Sequence, residues 1–320
     1  MAKTKKITGK KVASISMNVS ISDIVLNLIV AFFTRSTVLL AQALQGLSDL
    51  VTAGAIYWGV KRSQKHPDRA YQLGYGREVF FWVLIAGVIM FTGTGGMSFY
   101  FGYQQFTNPQ AISNIYIGLG MLVIGLISNA YALNMSIRRL KQADPKISWT
   151  KQLVGSSLVE TKATLLVDFM GTTGAVIGLF ALTAFALTGN SRYDGLGSML
   201  IGIGMMSVSI LLIRDVGSLI IGRSVDKYVQ DQIIEASVDV DGVLDVLDLR
   251  TMYIGPGRML ALIEIHVIKG LETTHIEKLI DEVKESVKKV VPDIHHIQVE
   301  IETPDKKPRK LSRKIKSSKK

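Results

Sequence analysis

Two aspartates, Asp49 and Asp168, occur within stretches that are otherwise apolar enough to span a membrane. Each is preceded, four positions earlier, by a side chain with a ligand-capable oxygen: Gln45 before Asp49 and Thr164 before Asp168. A charged side chain in the hydrocarbon interior is costly, and residues of this kind mark ion and substrate pathways. The pattern therefore indicates a transporter.

The composition is that of a membrane protein, with 320 residues, 48% of them hydrophobic, and a mean hydropathy of +0.30. Crossing the hydrocarbon core takes roughly 20 mostly apolar residues in a helix. Six segments meet this condition: Ile15–Phe33, Val38–Val60, Val79–Tyr103, Ile115–Met135, Ala163–Leu187 and Leu196–Leu219. The first is the least typical, because it contains Asn18, Asp23 and Asn27. The absence of cysteine excludes disulfides, thiolate metal ligands and thiol catalysis.

Basic residues are concentrated on one side of the predicted spans, in residues 1–11, 61–65 and 138–141. The opposite connections are nearly uncharged, with Arg35 in the first, no charge in the second, and Arg192 with Asp194 in the third. Because cytoplasmic loops carry the excess of Lys and Arg, both termini are predicted to be cytoplasmic. We expect the first segment to be a retained span of a multi-pass cell-membrane protein rather than a cleaved signal peptide.

The hydropathy changes after Arg223 to short elements of mixed charge, which predicts a cytoplasmic domain over residues 224–304. Periodicity predicts an α-β-β-α-β order: Lys227–Val238, Val243–Ile254, Met259–Ile268, a helix opened by a Thr274–Glu277 capping box, and Ile297–Ile301. This order indicates a small ferredoxin- or metallochaperone-like α+β fold with its helices on one face of the sheet. Its core is modest, so dimerisation is a natural supplement.

The two ends of the chain, residues 1–14 and 305–320, are strongly basic. The second is poor in apolar residues and is predicted to be disordered. It lacks interleaved aromatic residues, so we expect contact with anionic lipid headgroups, worth about 1 kcal/mol per basic residue, and no nucleic-acid binding.

Three segments together carry a family resemblance: Leu40–Asp49 (LAQALQGLSD), Leu73–Trp82 (LGYGREVFFW) and Tyr193–Ser198 (YDGLGS). With the predicted topology and trailing domain, the chain from Ile15 to Pro304 resembles the cation diffusion facilitator family, most nearly its zinc-transporter-nine-like branch. The resemblance implies a homodimer that exchanges a divalent cation for protons by alternating access.

The resemblance also implies a tetrahedral metal site between the second and fifth spans, with two ligands from each span, His or Asp followed by Asp. Residues four apart share one helix face, so two facing helices can present four ligands to one ion. The matching positions are Gln45, Asp49, Thr164 and Asp168. Gln45 and Thr164 depart from the family pattern, and this leaves an all-oxygen set that favours Mn²⁺, Fe²⁺ or Mg²⁺ without excluding Zn²⁺. Proton coupling would then depend on the two aspartates.

Several polar residues admit two interpretations. All four candidate ligands could instead serve as structural hydrogen-bonding groups. Asp23 and Asn27 could extend the ion path, or Asp23 could lie close to the cytoplasmic interface. Glu160 and Lys162 are interpreted as an interfacial pair. Four glycines are interpreted as sites of close helix packing: Gly174, Gly178, Gly195 and Gly202.

A second, cytoplasmic metal site is not expected, although related proteins bind metals there. The positions that match the relatives' ligands are Leu247, Ile263, Glu300 and Glu302 in the domain, and Asp68, Tyr71 and Tyr75 in the loop. The five histidines are interpreted as solvated or capping residues: His66, His266, His275, His295 and His296.

The expected function is export of a divalent cation (Zn²⁺, Mn²⁺ or Fe²⁺) from the cytoplasm, with protons as counter-ion and no tightly bound cofactor. The alternative is a transport-deficient scaffold or metal-sensing subunit that kept the fold and lost two ligands. An enzyme is not expected, because no nucleophile, base and orienting group can be assembled from the motifs.

Overall fold

The computed structural model describes residue 21 and residues 24–143 and 158–303. The predicted basic ends, Asn18 and Asp23 lie outside these residues. The described part forms two compact units. The first contains residues 24–61, 81–143 and 159–217, and the second contains Arg62–Phe80, Leu158 and residues 218–303.

Five long apolar helices follow a shorter one, α1 (Ile24–Thr34). Each of the five is long and apolar enough to cross a membrane. They are α2 (Thr37–Ser63), α3 (Glu78–Thr107), α4 (Ile115–Ala143), α5 (Val159–Thr188) and α6 (Arg192–Ile221). Their bounds agree with five of the six predicted spans, and the predicted span Ile15–Phe33 is only partly within the described residues.

Helix α3 is interrupted at its centre by a π-helical segment, Met90–Gly95. The Thr94 hydroxyl donates to the Met90 carbonyl oxygen at 3.1 Å. Segments of this kind insert an extra residue into a helix turn and are frequent at functional sites. Hydropathy alone did not predict this interruption, because the segment remains apolar.

Glycines bring the backbones of α3 and α6 into contact. A Cβ atom added to Gly195 would lie 2.6 Å from the Phe106 backbone nitrogen, and one added to Gly202 would lie 2.6 Å from that of Phe99. Any side chain at these positions would force the helices apart. Gly174 and Gly178 of α5 likewise lie against α2 side chains, so the predicted role of these glycines in close helix packing is confirmed.

The N-terminus of α2 is capped by a carboxylate from another helix, Asp194 of α6, which is fully buried. Its Oδ2 accepts the Thr37 backbone N–H at 2.7 Å, and its Oδ1 accepts the Ser36 hydroxyl at 2.5 Å and the Val38 N–H at 3.2 Å. A negative charge at this end complements the helix dipole and satisfies otherwise unpaired donors. The sequence placed Asp194 in a loop and gave no sign of this role.

The second unit has the predicted α-β-β-α-β order. Its elements are α7 (Lys227–Val238), β1 (Val243–Gly255), β2 (Arg258–Val267), α8 (Thr273–Val290) and β3 (Ile294–Ile301). Strand β2 is central, antiparallel to β1 and parallel to β3. On α8 the buried residues Leu279, Val283 and Val287 recur every four positions, which gives the helix one apolar face.

The predicted capping box at Thr274 and Glu277 is wrong. Helix α8 begins at Thr273, and its N-cap is Glu272, which makes no side-chain capping hydrogen bond. The box requires its Thr at the N-cap position itself. A shift of the helix start by two residues therefore removes it.

The loop between α2 and α3 packs against the end of strand β1. A Cβ atom on Gly76 would lie 2.5 Å from the Ile254 carbonyl oxygen and 3.1 Å from the Gly255 Cα. The next residue, Arg77, donates from Nη2 to the Tyr253 carbonyl oxygen at 3.5 Å. These contacts explain why the loop needs glycine at position 76: the two backbones approach too closely for a side chain.

Candidate metal site

Helices α2 and α5 are packed antiparallel, and this arrangement positions the predicted ligands. A Cβ atom on Gly178 would lie 2.7 Å from Val38 Cγ1, one on Gly174 would lie 2.9 Å from Gln42 Nε2, and one on Gly171 would lie 2.8 Å from Gln45 Nε2. Residues later in α2 thus contact residues earlier in α5, as expected for antiparallel helices. Asp49 lies one turn beyond Gln45 on α2, and Asp168 lies three residues before Gly171 on α5. The two aspartates therefore lie at similar levels along the pair.

Gln45 is buried, with 4% of its surface exposed, and its amide lies between Gly171 and Gly174. Both glycines follow Asp168 on α5. Side chains of a helix lean toward its N-terminus, so the Gln45 amide points to the Thr37 end of α2 rather than toward Thr164.

Thr164 lies one turn before Asp168 and is half-buried. Its hydroxyl donates to the Glu160 carbonyl oxygen at 2.9 Å, within the same helix. A hydroxyl oxygen whose proton is engaged still has lone pairs for an ion. Gln45 and Thr164 therefore lie on opposite sides of Asp168 along the helix axis.

A residue that the sequence analysis missed contacts the site: the buried Ser136 of α4 donates its hydroxyl hydrogen bond to Asp168 Oδ2. Such a partner fixes the orientation of a carboxylate that binds a metal. A lone serine in a membrane span carries no distinguishing signal, because its importance depends on which helix it faces.

The turn that carries Asp49 is tied to α3. Ser48, the preceding residue, makes a buried hydroxyl–hydroxyl hydrogen bond with Thr94, which lies within the π-helical segment. Each of the two carboxylate-bearing turns is thus anchored by a hydroxyl group from a neighbouring helix, Asp168 by α4 and the Asp49 turn by α3.

The chemistry available here is that of two carboxylates and neutral oxygens. Among the described residues, no group of three or more His, Cys, Asp or Glu side chains is placed to hold a metal. A dication bound by Asp49 and Asp168 would therefore take its other ligands from amides, hydroxyls or water. Oxygen ligand sets of this kind bind hard cations better than imidazole-rich ligand sets do.

Glu160 and Lys162 were predicted to form an interfacial pair, but the structure shows a different ion-pair partner for Lys162, namely Asp215. The Lys162 Nζ lies 2.9 Å from Asp215 Oδ2, and the lysine side chain is 2% exposed. Asp215 belongs to α6, so the pair connects α5 to α6.

Asn27 of α1, which the sequence analysis considered for an ion path, is buried.

The C-terminal domain has apolar residues at two of the positions that the family resemblance matched to metal ligands, and two of its histidines lie beside backbone carbonyl groups. Leu247 and Ile263 are buried in the domain core. The Nδ1 atom of His266 lies 3.1 Å from the Glu302 carbonyl oxygen, and that of His295 lies 3.1 Å from the Asp293 carbonyl oxygen.

In the α2–α3 loop, the Asp68 carboxylate accepts the Tyr75 hydroxyl at 2.6 Å, the Tyr71 backbone N–H at 2.9 Å and the Lys65 ammonium at 3.2 Å. The Tyr75 hydroxyl contributes most to holding the pKa of Asp68 well below its usual range, followed by the Tyr71 amide and Lys65. Asp68 therefore serves as the hydrogen-bond acceptor that organises this loop.

Comparison with known proteins identifies relatives of the whole helical unit. The family model described as the cation efflux transmembrane domain matches residues 12–221. The human proton-coupled zinc antiporter SLC30A9, mitochondrial, is 27% identical over 229 residues, which are 71% of this chain and 40% of that protein. Metal tolerance protein C4 of Arabidopsis thaliana is 25% identical over 70% of this chain and 50% of its own length.

The cation-efflux pump FieF of Yersinia pestis is 22% identical over 83% of this chain and 84% of that protein. Among solved structures, a nickel form of a MamM CTD variant is 26% identical and covers 25% of this chain and 100% of its own. Its TM-score of 0.24 is too low to support a statement about assembly or metal binding.

The family match covers well over half of the chain and coincides with the five membrane-length helices. The chain is therefore a multi-pass membrane protein. Its similarity to SLC30A9 agrees with the branch suggested by the three sequence motifs. The chain belongs to the cation diffusion facilitator family, in its zinc-transporter-nine-like branch.

Proposed function

We propose that this protein exports a divalent cation from the cytoplasm across the cell membrane, with Asp49 and Asp168 holding the ion midway. The observation that carries the proposal is the pair of carboxylate-bearing turns on two packed, membrane-length helices. Intramembrane carboxylates are costly and rare, and they mark ion pathways. A dication between them would neutralise both charges.

Gln45 and Thr164 complete the proposed coordination as neutral oxygen ligands, one on each side of the carboxylate level along α5. Reorientation of the amide or a shift of α2 along α5 would bring the Gln45 oxygen to the ion. A site that keeps only two charges binds a dication without excess negative charge, which favours release as well as capture.

Protons are the proposed counter-ions. When the cation leaves, protons are the cations that can neutralise the two carboxylates, because an uncompensated charge within the membrane is costly. Protonation on one side of the membrane and metal binding on the other would then alternate. Proton coupling is named for the human relative SLC30A9, and this supports the same coupling here.

We further propose a homodimer, with the second unit as the dimerisation domain. The domain is small, and association adds buried apolar surface to a modest core. The metal is cargo in this scheme, so no resident cofactor is invoked.

The alternative is a metal-sensing or scaffold subunit that does not transport. The observation in its favour is that Gln45 and Thr164 occupy positions where the family typically has imidazole or carboxylate ligands, and that both side chains have other contacts. Both functions allow metal binding. Only the exporter moves the ion.

The test is cation flux into liposomes that contain the purified protein and an internal metal indicator, across Zn²⁺, Mn²⁺, Fe²⁺ and Mg²⁺. An imposed pH gradient, with the liposome interior acidic, should accelerate entry of the transported ion. Cation entry should in turn dissipate the gradient, because protons leave in exchange. Metal binding without flux of any of the four ions would favour the sensing subunit. Flux that ignores the pH gradient would contradict proton exchange.

A further inference from the structure

Two buried glutamines of α2 present unused polar atoms to the surface of α5. Gln42 and Gln45 are 7% and 4% exposed. Gln42 Nε2 and Gln45 Oε1 have no hydrogen-bond partner among the described residues. Both atoms would lie 2.9 Å from a Cβ atom added to Gly174. The volume that a side chain would need at this position is therefore taken up by amide groups.

A third amide reaches the same region from α4. Asn129 Oδ1 would lie 2.6 Å from a Cβ atom on Gly171, and Gln45 Nε2 would lie 2.8 Å from it. Gly171 and Gly174 lie on successive parts of the same α5 surface. Gln45 contacts both glycines, so the three amides form a continuous row across α2, α5 and α4. We refer to Gln42, Gln45 and Asn129 as the amide row.

Buried polar atoms without a hydrogen-bond partner suggest that a ligand binds beside them. An unsatisfied buried donor or acceptor costs about 1–3 kcal/mol, and the hydrocarbon interior supplies no water to compensate. Each amide can present either its oxygen or its NH₂ group to the space beside the glycines. The row is uncharged, and oxygens with no net charge bind a hard cation weakly while replacing part of its water shell.

The row lies on the outlet side of the carboxylates in the proposed transport direction. Asp168 precedes Gly171 by three residues on α5, and Asp49 follows Gln45 by four residues on α2. An ion that moves from the carboxylates toward the Thr37 end of α2 therefore meets the amide row next.

We propose that Gln42, Gln45 and Asn129 form a second, weak subsite for the partly hydrated divalent cation, between the two carboxylates and the Thr37 end of α2. This inference rests on the proposed export function. In this arrangement Gln45 belongs to both subsites and passes the ion from one to the other. The lack of side chains at Gly171 and Gly174 lets the three amides lie directly against α5, where they could turn toward an ion.

Filling the space tests the subsite without removing a charge. A methyl group at Gly174 meets only the mobile ends of Gln42 and Gln45 within 3 Å, so Gly174→Ala should displace amides and leave the helices in place. Asn129→Leu removes the third amide. Gly120→Ala and Asn134→Leu are matched controls on α4, because nothing lies within 4 Å of a Cβ at Gly120 and Asn134 is exposed.

The measurements are Mn²⁺ flux into liposomes and equilibrium Mn²⁺ binding in detergent, monitored by the free-ion EPR signal. Gly174→Ala and Asn129→Leu should slow flux by at least about tenfold, the lower end of what loss of an orienting partner costs at a metal site. They should change the binding constant of the carboxylate site much less. Both controls should match the wild type. Flux in the two test variants equal to that of the controls would overturn the proposal.

A structural measurement separates this proposal from the proposed function. Crystals of the Asp168→Asn variant soaked in Mn²⁺ should show anomalous density beside Gly171 and Gly174, because the weakened carboxylate site leaves the amide row as the remaining oxygen-lined position. This density would support the subsite even if the wild type transported no cation. No density there, with Mn²⁺ bound at the carboxylates of wild-type crystals, would refute it.

Discussion

Asp168 and the turn that carries Asp49 are each held by a hydroxyl group from a neighbouring helix. Asp168 receives a hydrogen bond from Ser136 of α4, and the neighbour of Asp49, Ser48, bonds to Thr94 of α3. The sequence predicted the two aspartates from their setting in apolar spans. It could not predict Ser136 or Asn129, because their roles follow from which helices are neighbours.

Loss of the Ser136 hydroxyl should weaken cation binding while leaving the protein folded. Ser136→Ala removes the group that orients the Asp168 carboxylate, and orienting partners of metal ligands contribute about 10–100-fold in affinity. Isothermal titration with the transported ion measures the effect. Ser128→Ala, an exposed serine on the same helix, is the control. Equal affinities of the two variants would show that Ser136 does not act through Asp168.

Introducing an imidazole at either neutral ligand position should shift selectivity toward Zn²⁺. Nitrogen ligation suits Zn²⁺ better than Mn²⁺, so Gln45→His or Thr164→His should raise the Zn²⁺-to-Mn²⁺ preference by about tenfold, or about 1.4 kcal/mol. Competition between the two ions for binding gives the ratio. An unchanged ratio in both variants would mean that neither side chain reaches the ion.

At the scale of the elements, hydropathy predicted five helices, four of them within about four residues of their observed bounds, because a membrane-length apolar run has few alternatives to a helix. The end of α4 was placed at Met135, whereas the helix continues to Ala143. Features that depend on packing were not predictable in this way. The π-helical segment of α3, the capping of α2 by Asp194, and the pairing of Lys162 with Asp215 each involve a second element.

Replacing one partner of the ion pair between α5 and α6 should destabilise the protein more than replacing both partners together. Lys162→Met removes the ion pair with Asp215 and should lower the free energy of unfolding by up to about 3 kcal/mol, reduced because Asp215 is partly exposed. Lys162→Met with Asp215→Leu should recover most of this loss. Thermal unfolding in one detergent compares the variants. A double variant no more stable than Lys162→Met would contradict this account of the pair.

At the scale of the whole molecule, the C-terminal domain folds around apolar residues at two positions that the family resemblance matched to metal ligands. Leu247 and Ile263 belong to its core, so its stability should come from packing and not from a metal. The sequence predicted its order of elements because the periodicities of strand and helix differ. The start of α8 was misplaced because two threonines precede the first apolar residue of the helix.

The isolated domain, residues 224–304, should accordingly unfold at the same temperature with Zn²⁺, with Mn²⁺ and with chelator. A ligand stabilises a protein only if it binds the folded state preferentially. Differential scanning calorimetry at matched ionic strength is the measurement. A stoichiometric, metal-dependent rise in melting temperature would reveal a cytoplasmic site among His266, His275, His295 and His296.

The central claim is that Asp49 and Asp168 together carry a divalent cation through the membrane. The most direct measurement is cation flux into liposomes for the wild type, Asp49→Ala and Asp168→Ala, reconstituted at equal density after each is shown to be folded and equally assembled. Asp231→Ala, a change outside the helical unit, is the control. The account predicts flux for the wild type and the control, and none above empty liposomes for the two variants. Wild-type flux in either Asp49→Ala or Asp168→Ala would contradict it.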